Sequence, residues 1–185
     1  FLNLSEKDWD WCNDINFNAL VKLTRIFLPH LMKNEESALI NTSSIFGIIT
    51  TPNNTVYHSS KFAVRGFTES LAMELRDEKI QIHSVYPGHI GTNIVLDAKF
   101  DKDFLSTNAN TIEDTDNDPV TIQEFGSTFR DTGMSPDKAA KIILKAQGVT
   151  KIFMDDMCTY QNSNLYYSYR GENNTGRIAS LIWIK

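Results

Sequence analysis

Apolar side chains recur at helical spacing over the first 33 residues of the chain. The positions that share one face are Trp9, Cys12, Ala19, Leu20, Leu23, Phe27 and Leu31. Ser5 is suited to cap this helix, because its side-chain oxygen can accept a hydrogen bond from a backbone N–H of the first turn. The pattern predicts one long helix from about Glu6 to Lys33, with a kink or a last turn at Pro29.

A short apolar run, a long amphipathic segment and a second apolar run follow this helix. Ala38–Ser44 begins apolar and ends in small hydroxyl side chains, as expected for a buried parallel strand. Val56–Arg76 is predicted as the next helix, and Ile80–Tyr86 as the next strand. A strand, a long helix and a second strand are the building block of an α/β protein with a doubly wound parallel sheet.

The hydrophobic pattern weakens after residue 96. Residues 97–133 are rich in Asp, Asn and Thr, which predicts a long loop with one short helix. Ser135-Pro136-Asp137 is a good helix start, since serine caps and proline suits the first helical position, and this helix is predicted to end near Gln147. Lys151–Met154 fits a final strand, and the tail after it predicts no element. Residues 1–185 are predicted to form a single domain.

Composition and charge exclude several classes of protein. The net charge is −5, and no run of Lys and Arg supports binding to nucleic acid. No apolar stretch reaches the roughly 18 residues of a membrane span. The two cysteines, Cys12 and Cys158, have no metal or redox spacing, and the four histidines have no metal-ligand spacing. We therefore expect a cytoplasmic protein with reduced cysteines, no metal, no nucleic-acid partner and no membrane span.

Tyr57 and Lys61 lie four residues apart on the second predicted helix, so their side chains project from one face. A free tyrosine has a pKa near about 10 and is a poor base at neutral pH. A nearby ammonium group and the positive end of a helix both favour the phenolate, which predicts a lowered pKa for Tyr57. Tyr57 is therefore a candidate general acid and base. The pair alone is also compatible with a surface pair on an amphipathic helix.

Hydroxyl side chains and a Pro-Gly turn follow the two predicted strands. Ser43 and Ser44 end the first strand, at the sheet edge where open parallel sheets bind ligands. A hydroxyl there can hold the oxygen of a carbonyl or an alcohol while Tyr57 exchanges its proton. Ser44 is the preferred residue, with Ser43 as the alternative. After the second strand, the backbone amides and the hydroxyl of residues 87–92 are suited to bind the amide or a phosphate of a cofactor.

Together these residues resemble the short-chain dehydrogenase/reductase family. The motifs that carry the resemblance are Asn16, Ser44, Tyr57-x-x-x-Lys61 and Pro87-Gly88-x-x-x-Thr92. The resemblance implies a Rossmann-like fold and an oxidoreductase that interconverts an alcohol and a carbonyl by hydride transfer with NAD or NADP. It divides the chain into a family-like core (1–96), a substrate loop (97–133), and a C-terminal helix with a divergent tail (134–185).

The resemblance also implies a role for each candidate residue. Tyr57 would act as the acid or base, and Lys61 would hold the nicotinamide ribose and lower the pKa of Tyr57. Ser44 would orient the substrate oxygen, and Asn16 would anchor a water that relays protons. The residues expected to bind the cofactor are Tyr57, Lys61, Pro87, Gly88, Ile90 and Thr92. The residues expected to bind a small-molecule substrate are Ser44, Ile45 and Ile94.

The chain departs from the family pattern in its nucleotide-binding part. The family's glycine-rich turn, Thr-Gly-x-x-x-Gly-x-Gly, and its Asn-Asn-Ala-Gly stretch have no counterpart in the sequence. We therefore expect a truncated Rossmann-like doubly wound parallel sheet, an open edge along Ala38–Ser44 and a chain that is inactive alone. A homo-oligomer through the two long helices is expected. The alternative function is a non-catalytic fragment that serves as an oligomerisation or interaction module.

Overall fold

The computed structural model describes residues 1–96, 111–113, 119–146 and 180–184, with side chains for 1–96 and 123–146. Its contacts divide the chain into two compact units. The first contains Phe1, Ser5–Pro87 and the strand near the C-terminus, and the second contains Leu2–Leu4 and Gly88–Ile152. The single-domain organisation inferred from the sequence stays a prediction.

The first unit begins with a helical segment that has three parts. Helix α1 spans Glu6–Asn13, a π-helical turn spans Asp14–Asn18, and helix α2 spans Ala19–Leu31. Ser5 caps α1 as predicted, and Pro29 lies in the last turn of α2. The predicted single helix is thus corrected to two helices joined by a π turn. One extra residue in a turn leaves no local mark in the hydrophobic pattern.

The sheet of the first unit is built on a parallel pair of strands. Strand β1 (Ser37–Thr42) pairs in parallel with β2 (Ile80–Val85), and helix α3 (Thr55–Glu74) connects them. The α/β class, the strands and the helix predicted from the sequence are confirmed.

The other edge of β1 carries a strand from the C-terminal part of the chain. Strand β5 (Ser180–Ile184) runs antiparallel to β1, from Ser37↔Ile184 to Asn41↔Ser180, so the strand order is β2-β1-β5. The expected open edge of β1 was therefore wrong, because β5 hydrogen-bonds to its backbone. The predicted strand Lys151–Met154 lies outside the described residues.

The core of the first unit lies where α2 and α3 cover one face of the parallel strands. Its most buried members are Leu31, Leu39 and Ile80. The partly buried side chains packed against them are Leu28, Leu71, Leu75 and Ile82. Both helices thus contribute to one apolar layer, which fixes α3 over β1 and places its first turns beside the end of that strand.

The second unit contains a short hairpin and two helices. Strands β3 (Thr111–Glu113) and β4 (Pro119–Thr121) pair antiparallel, and they are followed by α4 (Ile122–Thr132) and α5 (Pro136–Ala146). Helix α5 matches the predicted helix within one residue at each end. The one short helix predicted within the long loop 97–133 is α4, and the hairpin of β3 and β4 was not predicted. None of the helices among the described residues is long and apolar enough to cross a bilayer.

Candidate functional site

Tyr57 is the third residue of α3, directly beside the end of β1. The chain leaves β1 through Ser44, which caps a 3₁₀ turn at Ile45–Gly47, and it enters α3 through Asn54. Asn53 adopts a positive φ of 63°, a conformation that asparagine tolerates better than most residues. This tight connection brings the last hydroxyls of the strand to the first turns of the helix.

The two neighbouring serines at the end of β1 have different partners. Ser44 forms a side-chain hydrogen bond with Tyr57, and its Oγ accepts a bond of 3.1 Å from the backbone N–H of Phe46. Ser43 Oγ donates to the backbone oxygen of Lys61 at 2.8 Å, so its proton holds the strand to the helix. The geometry therefore favours Ser44 over Ser43 for contact with a substrate oxygen.

Lys61 lies one turn after Tyr57 on the same face of α3. Its Nζ is 5.6 Å from the centre of the Tyr57 ring. The same Nζ donates a hydrogen bond of 3.3 Å to the backbone oxygen of Thr42, at the end of β1. The structure thus brings Ser44, Tyr57 and Lys61 together, while the roles assigned to them stay predictions.

Burial governs the protonation of both groups. Burial raises the pKa of Tyr57 above its ordinary value, while the hydrogen bond from Ser44 acts in the opposite direction and the charge of Cys12 adds to the rise. Burial likewise lowers the pKa of Lys61, and the charge of Cys12 opposes that change. The lowered pKa predicted for Tyr57 was wrong for this structure. Desolvation disfavours the phenolate and the ammonium alike, and it outweighs the stabilisation expected from their proximity.

Asn16 reaches the same region from the π turn. Its Nδ2 donates to Cys12 Sγ and to Ser60 Oγ, each at 3.2 Å. Ser60 Oγ in turn donates to the backbone oxygen of Tyr57 at 2.8 Å. Asn16 is therefore tied to the backbone of the helix that carries Tyr57.

His58 fixes the connection between β1 and α3, a role that no sequence pattern indicated. The backbone N–H of Thr51 donates to His58 Nε2 at 3.0 Å, so the ring proton lies on Nδ1 and is donated to the backbone oxygen of Phe46 at 3.1 Å. The Phe46 ring packs against His58 at 4.8 Å and against Tyr57 at 6.2 Å. Tyr57 is thus held by a rigid loop.

The predicted cofactor and substrate residues fall in both units. The N–H of Ile45 donates to the backbone oxygen of Pro87 at 2.9 Å, which joins the ends of β1 and β2. Gly88, Ile90, Thr92 and Ile94 belong to the second unit. There the N–H of Thr92 donates to the Ile90 oxygen at 2.8 Å. The roles of all these residues stay predictions.

The residues of the first unit have free capacity for a dinucleotide's ribose. An ammonium group has three donors, and among the described residues Lys61 Nζ uses one, on Thr42. Ribose hydroxyls are suitable acceptors for the other donors, so this part of the site fits NAD or NADP. No group of three or more metal-binding side chains occurs within the described part of the chain.

Two family models match the chain. The model described as short chain dehydrogenase matches residues 1–102, more than half of the chain. The model described as multi-copper polyphenol oxidoreductase laccase matches residues 97–185. That segment contains one cysteine, Cys158, and no histidine. Because copper sites in proteins depend on imidazole and thiolate ligands, this donor set does not fit several copper ions, and no copper chemistry follows from the match.

Two relatives and one solved structure illustrate the similarity. SadH of Mycobacterium tuberculosis is 35% identical over 147 residues, which are 78% of this chain and 48% of SadH. The 3-oxoacyl-[acyl-carrier-protein] reductase FabG of Thermotoga maritima is 33% identical over 91 residues, 49% of this chain and 37% of FabG. A 4-hydroxyisoleucine dehydrogenase mutant complexed with NADH and succinate shares the fold, with a TM-score of 0.56 at 23% identity over 81% of this chain and 57% of that one. The chain spans about half the length of SadH, and less of FabG.

Proposed function

The chain belongs to the short-chain dehydrogenase family, and we propose that its protein interconverts an alcohol and a carbonyl by hydride transfer with NAD or NADP. The observation that supports this proposal best is the grouping of Ser44, Tyr57 and Lys61, with Tyr57 hydrogen-bonded to Ser44 and Lys61 Nζ 5.6 Å from its ring. A surface pair on an amphipathic helix would be fully solvated, whereas burial shifts the pKa of both Tyr57 and Lys61.

Tyr57 exchanges the proton of the substrate oxygen. In the reduction direction its neutral phenol donates that proton, and the raised pKa keeps the phenol protonated at neutral pH. In the oxidation direction the phenolate accepts the proton, which the same raised pKa disfavours.

Ser44 and Lys61 position the reactants around Tyr57. Ser44 holds the substrate oxygen with the hydroxyl that now bonds to Tyr57, and the side chain of Ile45 contacts the rest of a small substrate. Lys61 would bind the ribose, and Pro87 would contact the nicotinamide end. When bound, the nicotinamide supplies or accepts the hydride.

The test measures turnover in two proteins, because the chain spans less than half of FabG. The first is the 185-residue chain, and the second is FabG of Thermotoga maritima in which residues 1–96 of this chain replace the aligned segment. Both are assayed with NADH and NADPH against a panel of ketones, aldehydes and 3-oxoacyl thioesters. We expect turnover in the chimera. Folded proteins that both lack turnover would overturn the proposal.

Tyr57→Phe is the decisive variant in whichever protein is active. Removal of a general acid typically costs about 10²–10⁴-fold in rate, so we expect turnover to fall by this factor with binding of the dinucleotide preserved. Tyr86→Phe is the matched control, because its hydroxyl contacts only Glu69, at 3.4 Å, among the described residues. Activity of Tyr57→Phe close to that of the control would remove the catalytic assignment.

The second candidate function is an oligomerisation or interaction module. Large apolar side chains on α2 and α3 are exposed, notably Ile26 at 60% and Met73 at 67%. If the helices serve only this purpose, Ile26→Glu and Met73→Glu change the molar mass measured by light scattering, and Tyr57→Phe changes nothing. Turnover that depends on Tyr57 favours the enzyme instead.

A further inference from the structure

Cys12 lies in the site although no part of the proposed reaction uses it. It is a half-buried residue of α1, and its Sγ is 3.2 Å from Asn16 Nδ2. The thiol also interacts with Ser60 and with the charge of Lys61. Asn16 and Ser60 thus interact directly with this one sulfur, and Lys61 acts on it through its charge.

The direction of the Asn16 amide follows from the hydrogen bonds of Ser60. Ser60 is fully buried, and its one hydroxyl proton is donated to the backbone oxygen of Tyr57 at 2.8 Å. Its oxygen can therefore only accept a further bond, so Asn16 must present the amide nitrogen to it and not the amide oxygen. The second proton of that nitrogen has Cys12 Sγ as its acceptor, at 3.2 Å.

With both protons of Nδ2 in use, the plane of the amide is fixed. The carbonyl oxygen Oδ1 of Asn16 then points in one direction, which is what a water held by this oxygen requires. An apolar side chain at position 12 would leave one N–H without an acceptor and would let the amide rotate about its last side-chain bond.

We propose that Cys12 is a positioning residue, whose sulfur accepts a hydrogen bond from Asn16 and thereby fixes the Asn16 amide for proton relay in the proposed reaction. The effect of Cys12 on turnover depends on the proposed function. The position of the Asn16 amide depends only on its contacts with Cys12 and Ser60. Cys12 acts in it as a neutral thiol at neutral pH, because burial raises its pKa, and its charge affects Tyr57 and Lys61 only after the thiol ionises at higher pH.

The geometry is tested without cofactor or substrate. In a Cys158→Ser background, Cys12 is the one remaining thiol, and its rate of reaction with iodoacetamide is measured against pH. Asn16→Leu should raise the pKa of Cys12, because the bond from Asn16 lowers it. Asn18→Leu, on the same turn, is the matched control, since Asn18 bonds to Asp14. Equal profiles for both variants and the parent would overturn the hydrogen bond.

The amide of Asn16 gives a second measurement in ¹⁵N-asparagine-labelled protein. Cys12→Val should accelerate exchange of the Asn16 side-chain protons by up to about tenfold, the factor that corresponds to one net hydrogen bond. Cys12→Ser retains an acceptor and should restore slow exchange. Exchange that is equally slow in Cys12→Val would contradict the positioning role even where the variant is fully folded.

Kinetics then separate the role of Cys12 from the proposed function. In the active protein, Cys12→Val should lower kcat by about tenfold with KM unchanged, less than the roughly 10²-fold of a misplaced reacting group, and Cys12→Ser should recover most of it. An active parent with an unchanged Cys12→Val overturns the positioning role alone. A chain and a chimera that are folded and inactive overturn the proposed function, and the role of Cys12 with it.

Discussion

Two places on α3 treat polar side chains in opposite ways, the first two turns at His58 and Ser60 and the surface pair Arg65 and Glu69, while Thr68 beside that pair is buried against Asn41. In the first two turns, His58 and Ser60 are almost completely buried, and each has defined hydrogen-bond partners. One turn later, the side chains of Arg65 and Glu69 form an ion pair while 38% and 56% exposed. The helix is continuous, so the difference comes from what covers each place.

Burial explains why a charged side chain behaves differently at the two places on α3. A charge near the surface keeps most of its hydration, whereas the partly buried amine of Lys61 loses some of it, and its pKa falls. In return the amine gives the fold one hydrogen bond, to the backbone oxygen of Thr42. A partly buried, desolvated lysine beside a partly buried tyrosine is the kind of arrangement that the proposed chemistry needs.

The largest effect is expected for Lys61→Ala. Loss of the amine removes the ribose contact, so turnover in the active chimera should fall by about 10²-fold or more, and binding of the dinucleotide should weaken. The free energy of unfolding should change little, because the loss of the hydrogen bond to the Thr42 oxygen is offset by the removal of a desolvated amine. Lys22→Ala, which alters an exposed lysine of α2, is the control for activity and thermal unfolding. If Lys61→Ala were destabilised but had normal turnover, Lys61 would serve the stability of the fold and not the proposed reaction.

An effect on stability is expected for His58→Leu, which tests the first turns of α3 without touching the reacting groups. The substitution leaves the Thr51 N–H and the Phe46 carbonyl without their partners. Thr51 is exposed, so water can replace its bond, and the loss should come from the partly buried Phe46 carbonyl, up to the roughly 1–3 kcal/mol of a buried group left unpaired. Urea unfolding should show this loss, whereas His30→Leu, at an exposed position, should be nearly neutral. Equal midpoints for the two variants would show that the connection between β1 and α3 is not held by His58.

The arrangement of residues in the first turns of α3 could be predicted in part from the sequence. The placement of Tyr57 and Lys61 on one face follows from spacing alone, and Ser44 follows from the end of an apolar strand. The contact of Asn16 with Ser60 joins residues 44 apart in the sequence, and it depends on a π turn that leaves no local pattern. The pKa of Tyr57 was predicted in the wrong direction, because spacing shows proximity but not how much water is excluded.

The second region that the sequence described poorly is the part after residue 96. Its polar composition predicted a loop with one short helix, and the structure has that helix, Ile122–Thr132, together with a hairpin that was not predicted. The pairing of β5 with β1 was also unforeseen, since an antiparallel partner for an edge strand need only supply backbone groups and leaves no required side-chain pattern. Hydrophobic periodicity identified α3, but it could not predict short strands or strands whose partners are distant in the sequence.

The smallest effect is expected for Arg65→Ala, in the surface pair on α3. The guanidinium Nε lies 2.9 Å from Glu69 Oε1 across one helical turn, and this contact raises the pKa of Arg65. Water solvates both groups equally well when they separate, so the thermal midpoint should not change measurably. Arg65→Glu places two like charges at the same spacing and should lower the midpoint slightly, more at low salt than at high salt. If Arg65→Ala proved as damaging as His58→Leu, the exposed pair would stabilise α3 as strongly as the buried contacts, and burial would no longer distinguish the two places.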